Sequence, residues 1–444
     1  MRKAILCLLL LSALALSAQT VYNLDSCKAM AKENNLTLQN KKLEIERARQ
    51  TQKEVFTKYF PTVSAIGVGF KMSDYMVDMD YSLGTVKLPF FNYILPSIQL
   101  PSIPMQMLDG GLMGGVTAVQ PVFAGLRIVR GNQLAKLGVQ AAELQAQMSE
   151  NEVDAMVENY YWQIVALQEK LRTIETLDKQ LARVSEDVDA AVGAGVVNRN
   201  SQLQVQLKRQ ELLSGKVRVQ NGIRTYKLLL KQYAQIPEAD FEIAADTLLM
   251  PDPPTIYYVE ASEGASRRVE AQLLDLQVNA AEKQTQMEIG KNLPQVAVGA
   301  GYSAYYMHVN ADNTADNHFG MVFGTVTVPI TDWWGGGHAI KKSRLAEQIA
   351  RNERESNMQL LAVQTQQNWN ELDEAYNQLL ISQKSIDLAK ENLRMQQDYF
   401  DAGTATLSDL LDAQSMYQQS MDGFTEAYVN YQVKKCTYLQ NTGR

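Results

Sequence analysis

The sequence predicts an α+β membrane protein: very long helices combined with a few short amphipathic strands, laid out twice along the chain. Three observations predict it. Prolines are confined to a few places, apolar residues recur every three or four positions over long proline-free runs, and short runs beside isolated prolines alternate, more weakly in the first half.

The duplication comes first, because it orders the rest. Pro121 lies 74 residues before Gly195, and Pro329 lies 74 before Gly403 (195 − 121 and 403 − 329), so both marks repeat at an offset of 208. Gln120-Pro121-Val122-Phe123-Ala124-Gly125 opens one stretch; Val328-Pro329-Ile330, followed by Gly335-Gly336-Gly337, opens the other. A unit this long is a duplicated architecture rather than a solenoid repeat, since each copy must hold several elements.

The helices follow from the prolines. All 12 fall in six places: alone at Pro61, Pro121, Pro294 and Pro329, together in one insertion (Pro89 to Pro104), and together at the junction between halves (Pro237 to Pro254). Residues 122–236 and 330–444 have none. Proline removes a donor and clashes with the preceding turn, so its absence permits long helices. From Tyr160 through Ile164, Leu167, Leu171 and Ile174 to Val188 the apolar steps are three or four. Leu372, Leu379, Ile386, Leu393 and Phe400 recur every seven, with Ala375, Ser382 and Ala389 between them. That is a coiled-coil seam. One helix from Leu126 to Ala191 would run for roughly 100 Å, longer than a compact bundle requires. Gly193, Gly195 and Gly403 interrupt the pattern as C-caps, so each half reads as a long helical hairpin, about 126–234 and 336–440.

The strands lie beside the lone prolines. Val296, Val298, Ala300, Tyr302, Ala304 and Tyr306 form one face of a run over 295–306. Val322, Val326, Val328 and Ile330 do the same over 320–330, opposite Thr325 and Thr327. Residues 62–71 and 114–123 hold the equivalent places in the first half. Such runs match the roughly 9–11 residues of a tilted membrane strand, with tyrosines at girdle height. Four strands cannot close a barrel, and an open edge is not tolerated in lipid. Gly335-Gly336-Gly337 lacks the lysine and hydroxyl of a phosphate loop and reads as the turn leaving a strand.

Arg2-Lys3 ahead of an apolar run from Ala4 to Leu16, then Ser17-Ala18-Gln19, predicts a secretory signal peptide over 1–18. Cys7 and Cys27 do not flank the expected cut in the way a lipid anchor needs. No later run reaches the length of a membrane helix. A net charge of −7 offers no basic surface for nucleic acid.

With those marks in order, the chain resembles the TolC-like outer-membrane efflux proteins. Ala31-Lys32-Glu33-Asn34-Asn35 with Leu36 and Leu38 looks like that family's opening helix. Phe60-Pro61 and Leu293-Pro294 look like its lead-ins to barrel strands, and Gln120–Gly125 like its strand-to-helix exit. Gly403-Thr404 with Asp409-Leu410-Leu411-Asp412-Ala413-Gln414 is similar to its hairpin tip. Three departures stand out: Ser201 where the second half has Asp409, Gly193 close to Gly195, and Asp332-Trp333-Trp334 at the second exit.

The resemblance implies a homotrimer in the outer membrane of a Gram-negative bacterium, with a large periplasmic portion. Each protomer would give four strands to one β-barrel, continued below by an α-helical barrel. It also implies domains at 19–236 and 264–444, joined by an equatorial linker over 237–263. The implied function is the passive exit duct of a tripartite efflux or type I secretion system. A periplasmic adaptor (membrane fusion) protein and an inner-membrane pump of RND, ABC or MFS type would drive it, with outer-membrane lipid around the barrel. No cofactor or catalysis is implied, and no nucleophile–base pair or metal cluster is legible. His308 and His318 read as surface-loop residues, His338 as a helix start. A soluble periplasmic coiled-coil adaptor or scaffold is the rival; it explains the helices but not the strands.

Within that resemblance, Gly195, Gly403, Thr404 and Asp409 are the adaptor-docking candidates. Asp398 and Asp401, with Asp187 and Asp189, are the candidates for a gate, because threefold symmetry turns an inward carboxylate into a ring. The alternative for each acid is a solvated outer face. In this fold Cys27 and Cys436 both come to the middle zone, which leaves a disulfide and a pair of buried thiols as alternatives. Residues 71–114 are an insertion rich in Met, Phe, Tyr and Pro, which as the loop between two membrane strands would face outside.

Overall fold

The computed structural model describes residues 21–74, 77–81, 85–86, 98–99, 103–107, 109–237, 240–244, 248–310, 313–330 and 332–444. The expected signal peptide lies outside them, as does Leu88–Tyr93 of the insertion. The described chain divides into a sheet unit, Arg49–Leu137 with Asn279–Ile349, and a helical unit that takes Gly138–Val278, Ala350–Arg444 and the residues up to Ala48.

In the sheet unit, β2 (Thr62–Lys71), β7 (Gly110–Ala124), β9 (Gln295–Asn310) and β10 (Asn313–Thr327) form one antiparallel sheet in the order β10-β9-β7-β2. Directly opposed residues share a face. Val322, Ala300, Ala118 and Val63 therefore make one apolar row across all four strands, and Tyr302, Val116 and Ala65 another over three of them. The apolar sides of the two second-half strands thus coincide on one face, with Val322 and Val326 among the most exposed apolar side chains. The opposite face carries Thr325, Thr327 and Gln295 at its lower end, with Phe323, Met321 and Phe319 above them. Within the insertion, β3 (Val77–Tyr81) pairs with β6 (Ile103–Met107) and β4 (Thr85–Val86) with β5 (Ile98–Gln99).

Three expectations are corrected here. The strands β9 and β10 continue past the alternating runs, so His308 and His318 stand in strands and not in a loop. Beyond Tyr306 the shared face becomes His308, Asp316 and Thr314, so the ladder persists where the apolar signal stops. β10 ends at Thr327, short of Ile330. Gly335-Gly336-Gly337 is not a turn: it lies inside a helix that begins at Asp332. A Cβ on Gly336 would sit 1.8 Å from Asn292 Oδ1, so glycine here permits close packing rather than chain reversal.

The helices are α1 (Leu24–Asn34), α2 (Leu36–Phe56), α3 (Arg127–Gly193), α4 (Arg199–Ala234), α5 (Ala261–Arg267), α6 (Val269–Lys291), α7 (Asp332–Asp401) and α8 (Leu407–Asn441). Within the helical unit, Leu372, Ala375, Leu379 and Ile386 of α7 pack with Phe424, Tyr428, Tyr431 and Tyr438 of α8. The heptad is therefore a seam within one hairpin. Asp252 and Val259 of the linker are pinned by α8: Tyr431 donates to the Asp252 carbonyl at 3.0 Å, and the Val259 N–H donates to Tyr438 Oη at 3.0 Å. Buried tyrosines thus satisfy linker backbone that would otherwise be desolvated without a partner. A two-residue parallel pairing of β1 (Val21–Tyr22) with β8 (Glu242–Ile243) fixes its start.

Candidate functional site

The two hairpin tips are built alike, atom for atom at the backbone. In the first, the Gly195 N–H donates to Val192 O and the Val196 N–H to Ala191 O, each at 3.0 Å. In the second, Gly403 N–H donates to Phe400 O at 2.9 Å and Thr404 N–H to Tyr399 O at 2.8 Å. This is the Schellman closure, and it requires a left-handed residue at the glycine. The φ values are +72° at Gly195 and +73° at Gly403. Thr404 adds a hydroxyl bond to Tyr399 O at 3.0 Å.

The helices that leave the tips are capped differently. Asn198 Oδ1 accepts from the Ser201 N–H at 3.3 Å. Thr406 and Asp409 form a reciprocal capping box: Asp409 Oδ2 accepts from the Thr406 N–H at 2.9 Å and from its hydroxyl at 2.6 Å. Those bonds, the hydroxyl first, hold the Asp409 carboxyl below the usual aspartate range. Asp409 thus shapes the tip as a cap, whatever else meets it.

One apolar core joins the tips. It contains Leu181, Val184 and Val188 of α3, Val205 of α4, Leu393 of α7 and Leu410 of α8. Beside it lies a cleft of about 540 Å³ lined from both hairpins, by Asp187, Ala191 and Ser201 on one side and Phe400, Asp401 and Leu407 on the other. The structure therefore brings Asp187 and Asp401 to one cleft, together with Gly403. Asp398 and Asp189 stand elsewhere. Asp398 is exposed and accepts from Arg394 Nη1 at 2.8 Å, one helical turn away; Asp189 accepts from Gln202 Nε2 at 2.9 Å. Arg394 and Gln202 did not emerge from the sequence, although Arg394 stands at i+3 from Glu391 and i−4 from Asp398, the spacing of surface pairs.

Cys27 and Cys436 are both buried free thiols in the helical unit, so the bridge left open by the sequence is not formed. Burial raises them to about 11 and about 12. Beside Cys436, Lys28 pairs with Glu158, and Lys32 with Glu150 at 2.8 Å and Asp154 at 3.1 Å. Among the described residues no group of three or more His, Cys, Asp or Glu side chains is placed to hold a metal ion. No described helix is long and apolar enough to cross a membrane.

Four barrel-type strands, two capped helical hairpins and an internal duplication define a fold class, the TolC-like one. Residues 265–434 match the family model of the outer membrane efflux protein. The fold is similar to the CmeC outer membrane channel of Campylobacter jejuni, with a TM-score of 0.73 at 13% identity over 95% of this chain and 85% of that one. A membrane protein from Pseudomonas aeruginosa gives 0.75 at 14% identity, covering 96% and 92%. The open state of the MtrE outer membrane channel of Neisseria gonorrhoeae gives 0.72 at 15%, covering 95% and 88%. No curated relative matches the chain in sequence. The chain has the TolC-like fold, and the family resemblance read from its residues stands. The matching family and its structural neighbours are channels.

Proposed function

We propose that three copies of this chain form an outer-membrane exit channel, with the helical unit in the periplasm. The observation that carries this is the sheet: among the described residues β2 and β10 each keep one free edge, while one face carries exposed apolar rows. Free edges in lipid must be closed, and further copies of the same chain close them without a second gene product. The channel serves a tripartite efflux or type I secretion system. An adaptor docks at the tips formed by Gly195, Gly403, Thr404 and Asp409, and an inner-membrane pump supplies the energy. Asp187 and Asp401 are the gate acids best supported, because they line one cleft between the tips. The soluble scaffold reading leaves the apolar face of the sheet without a use.

The test is assembly and conductance together. The mature chain should be extracted from outer-membrane fractions only by detergent, behave as a trimer, and open ion-conducting pores in planar bilayers. Asp187→Asn with Asp401→Asn should then alter conductance or cation block. A water-soluble monomer that leaves bilayers silent overturns the channel reading.

A further inference from the structure

The end of the sheet where β2 and β9 begin and β7 and β10 finish carries features that neither pore nor tips require. Trp334 is 83% exposed and Trp333 49%. Phe56, Tyr59 and Phe60 are exposed too, and the Phe56 ring meets Tyr59 and Phe60 edge-on at 5.5 and 5.6 Å. Trp333 is oriented, since its Nε1–H donates to the Asn292 carbonyl at 3.0 Å. Five aromatic side chains thus gather at one level of the sheet unit with no core to fill.

The charge at this level is equally marked. Segments 49–61, 124–137, 279–293 and 331–349, which adjoin the four strand ends, hold eleven lysines and arginines against five acids, in a chain whose net charge is −7. Lys58, Lys341, Lys342 and Arg344 are exposed, and no ion pair to them exists among the described residues. Amphipathic aromatics at the rim of an apolar band, with free cations just outside it, match a headgroup layer of anionic phospholipid. A protein partner would match the rings but gives no reason for cations adjoining all four strand ends.

We propose that this level is a binding surface for anionic phospholipid headgroups, with Trp333, Trp334 and Phe60 in the interface and Lys58, Lys341, Lys342 and Arg344 on phosphates. The proposal rests on the channel reading above and adds where the membrane ends on the chain and which lipid it selects.

The mature protein is reconstituted into phosphatidylcholine vesicles containing a minority of phosphatidylglycerol, and insertion is scored first by flotation. Trp162→Phe with Trp369→Phe leaves only the pair under test among the 4 tryptophans. If that variant folds poorly, the difference between the native protein and Trp333→Phe with Trp334→Phe reads the same pair. Emission should be blue-shifted and quenched most by lipids brominated near the headgroup end of the chain. At equal mole fraction, brominated phosphatidylglycerol should quench about twofold more than brominated phosphatidylcholine, because surface cations enrich anionic lipid severalfold. Replacing Lys58, Lys341, Lys342 and Arg344 with glutamine should abolish that excess and leave flotation intact. Failure to float overturns this proposal and the channel reading alike. Flotation with water-exposed, unquenched tryptophans overturns this proposal alone. Equal quenching by the two lipids, or an excess that survives the glutamine variant, overturns the anionic selectivity.

Discussion

Ser201 and Asp409 hold the same place in the two hairpin tips, 208 residues apart, each third in its helix and each donating its backbone N–H to the N-cap side chain of Asn198 or Thr406. Only Asp409 returns the bond. The first tip therefore has half a capping box and the second a whole one.

Completing or removing that box gives the first prediction. Ser201→Asp should add a reciprocal bond and a favourable charge at a helix start, slowing amide exchange at 199–202 by roughly threefold to fivefold. Thr406→Ala should cost about 1 kcal/mol locally and speed exchange at the start of α8. The Asp409 carboxyl is depressed by its bonds to Thr406, so its contribution is present above the ordinary aspartate value of 3.8 and is lost as pH falls through its lower, folded value. Protection at 407–410 should fall with acid in the native protein and be pH-insensitive in Asp409→Ala. Equal acid sensitivity in both would remove Asp409 from the cap.

The seams and tips were legible because their signals are local. Leu372, Leu379 and Ile386 are spaced for a stripe that one hairpin buries by itself, and Gly195 and Gly403 announce a backbone only glycine adopts cheaply. The rest was hidden for stated reasons. β9 outlasts its alternation because backbone pairing holds it past Tyr306, while composition reports only side chains. Gly335 to Gly337 signals a turn, yet Gly336 serves a contact with Asn292, 44 residues earlier in sequence (336 − 292), which no window detects. Helices α1–α2 and α5–α6 are also a repeated pair, breaking at Asn35 and Arg268 with an offset of 233 (268 − 35). The insertion in the first half conceals it: Pro61 and Pro294 share this offset, while Pro121 and Pro329 keep 208. The candidate gate acids were legible only as a cluster; which of them share a cleft depends on contacts between the two hairpins.

Gly125 and Gly290 supply a second prediction, in the sheet unit. Gly125 has φ +62°, and a Cβ there would lie 2.0 Å from the Gly290 carbonyl oxygen; a Cβ on Gly290 would lie 2.2 Å from Gly125 O. Each backbone occupies the space the other's side chain would need. Gly125→Ala and Gly290→Ala should each reduce the yield of membrane-inserted, protease-resistant protein, since either methyl collides with the other glycine's carbonyl oxygen, and at Gly125 backbone strain adds about 1–3 kcal/mol. Gly138, inside α3 with nothing near its missing Cβ, is the control. Gly138→Ala should be neutral or stabilise by about 0.5–1 kcal/mol. Wild-type yields for all three would show that the close approach is not needed.

Gln414 gives a third. Its side chain is 2% exposed, and both amide atoms are buried without a hydrogen-bond partner. It lies on α8 one position after Ala413 and four after Leu410, both part of the core that joins the tips. A buried amide left unpaired forfeits its bonds to water and gains nothing in exchange. Gln414→Leu should therefore raise stability by about 1–2 kcal/mol, seen as a higher thermal midpoint of the helical signal in detergent. If the tips must part when the channel opens, the same variant should lengthen closed times in single-channel records. A lowered midpoint would mean that the amide is paired in the working assembly.

The thiols give the last. Cys27 and Cys436 are buried and unbridged, and burial, acting as desolvation of the thiolate, pushes them to about 11 and about 12. For Cys436 the carboxylate of Glu158 acts in the same direction and Lys28 opposes it. The thiolate is the reactive species, so at neutral pH neither residue should react with a thiol reagent on the minute timescale of an exposed cysteine. Unfolding restores the ordinary value, and two thiols per mature chain should then titrate under non-reducing conditions. A raised folded value favours the protonated, neutral thiol, so each contributes stability that is fully present below the unfolded value of 9.0 and is lost as pH rises through the folded one. Midpoints measured between pH 8 and pH 11 should therefore fall more steeply in the native chain than in Cys27→Ala with Cys436→Ala. A native chain that yields no thiol on unfolding until a reductant is added would establish the bridge instead.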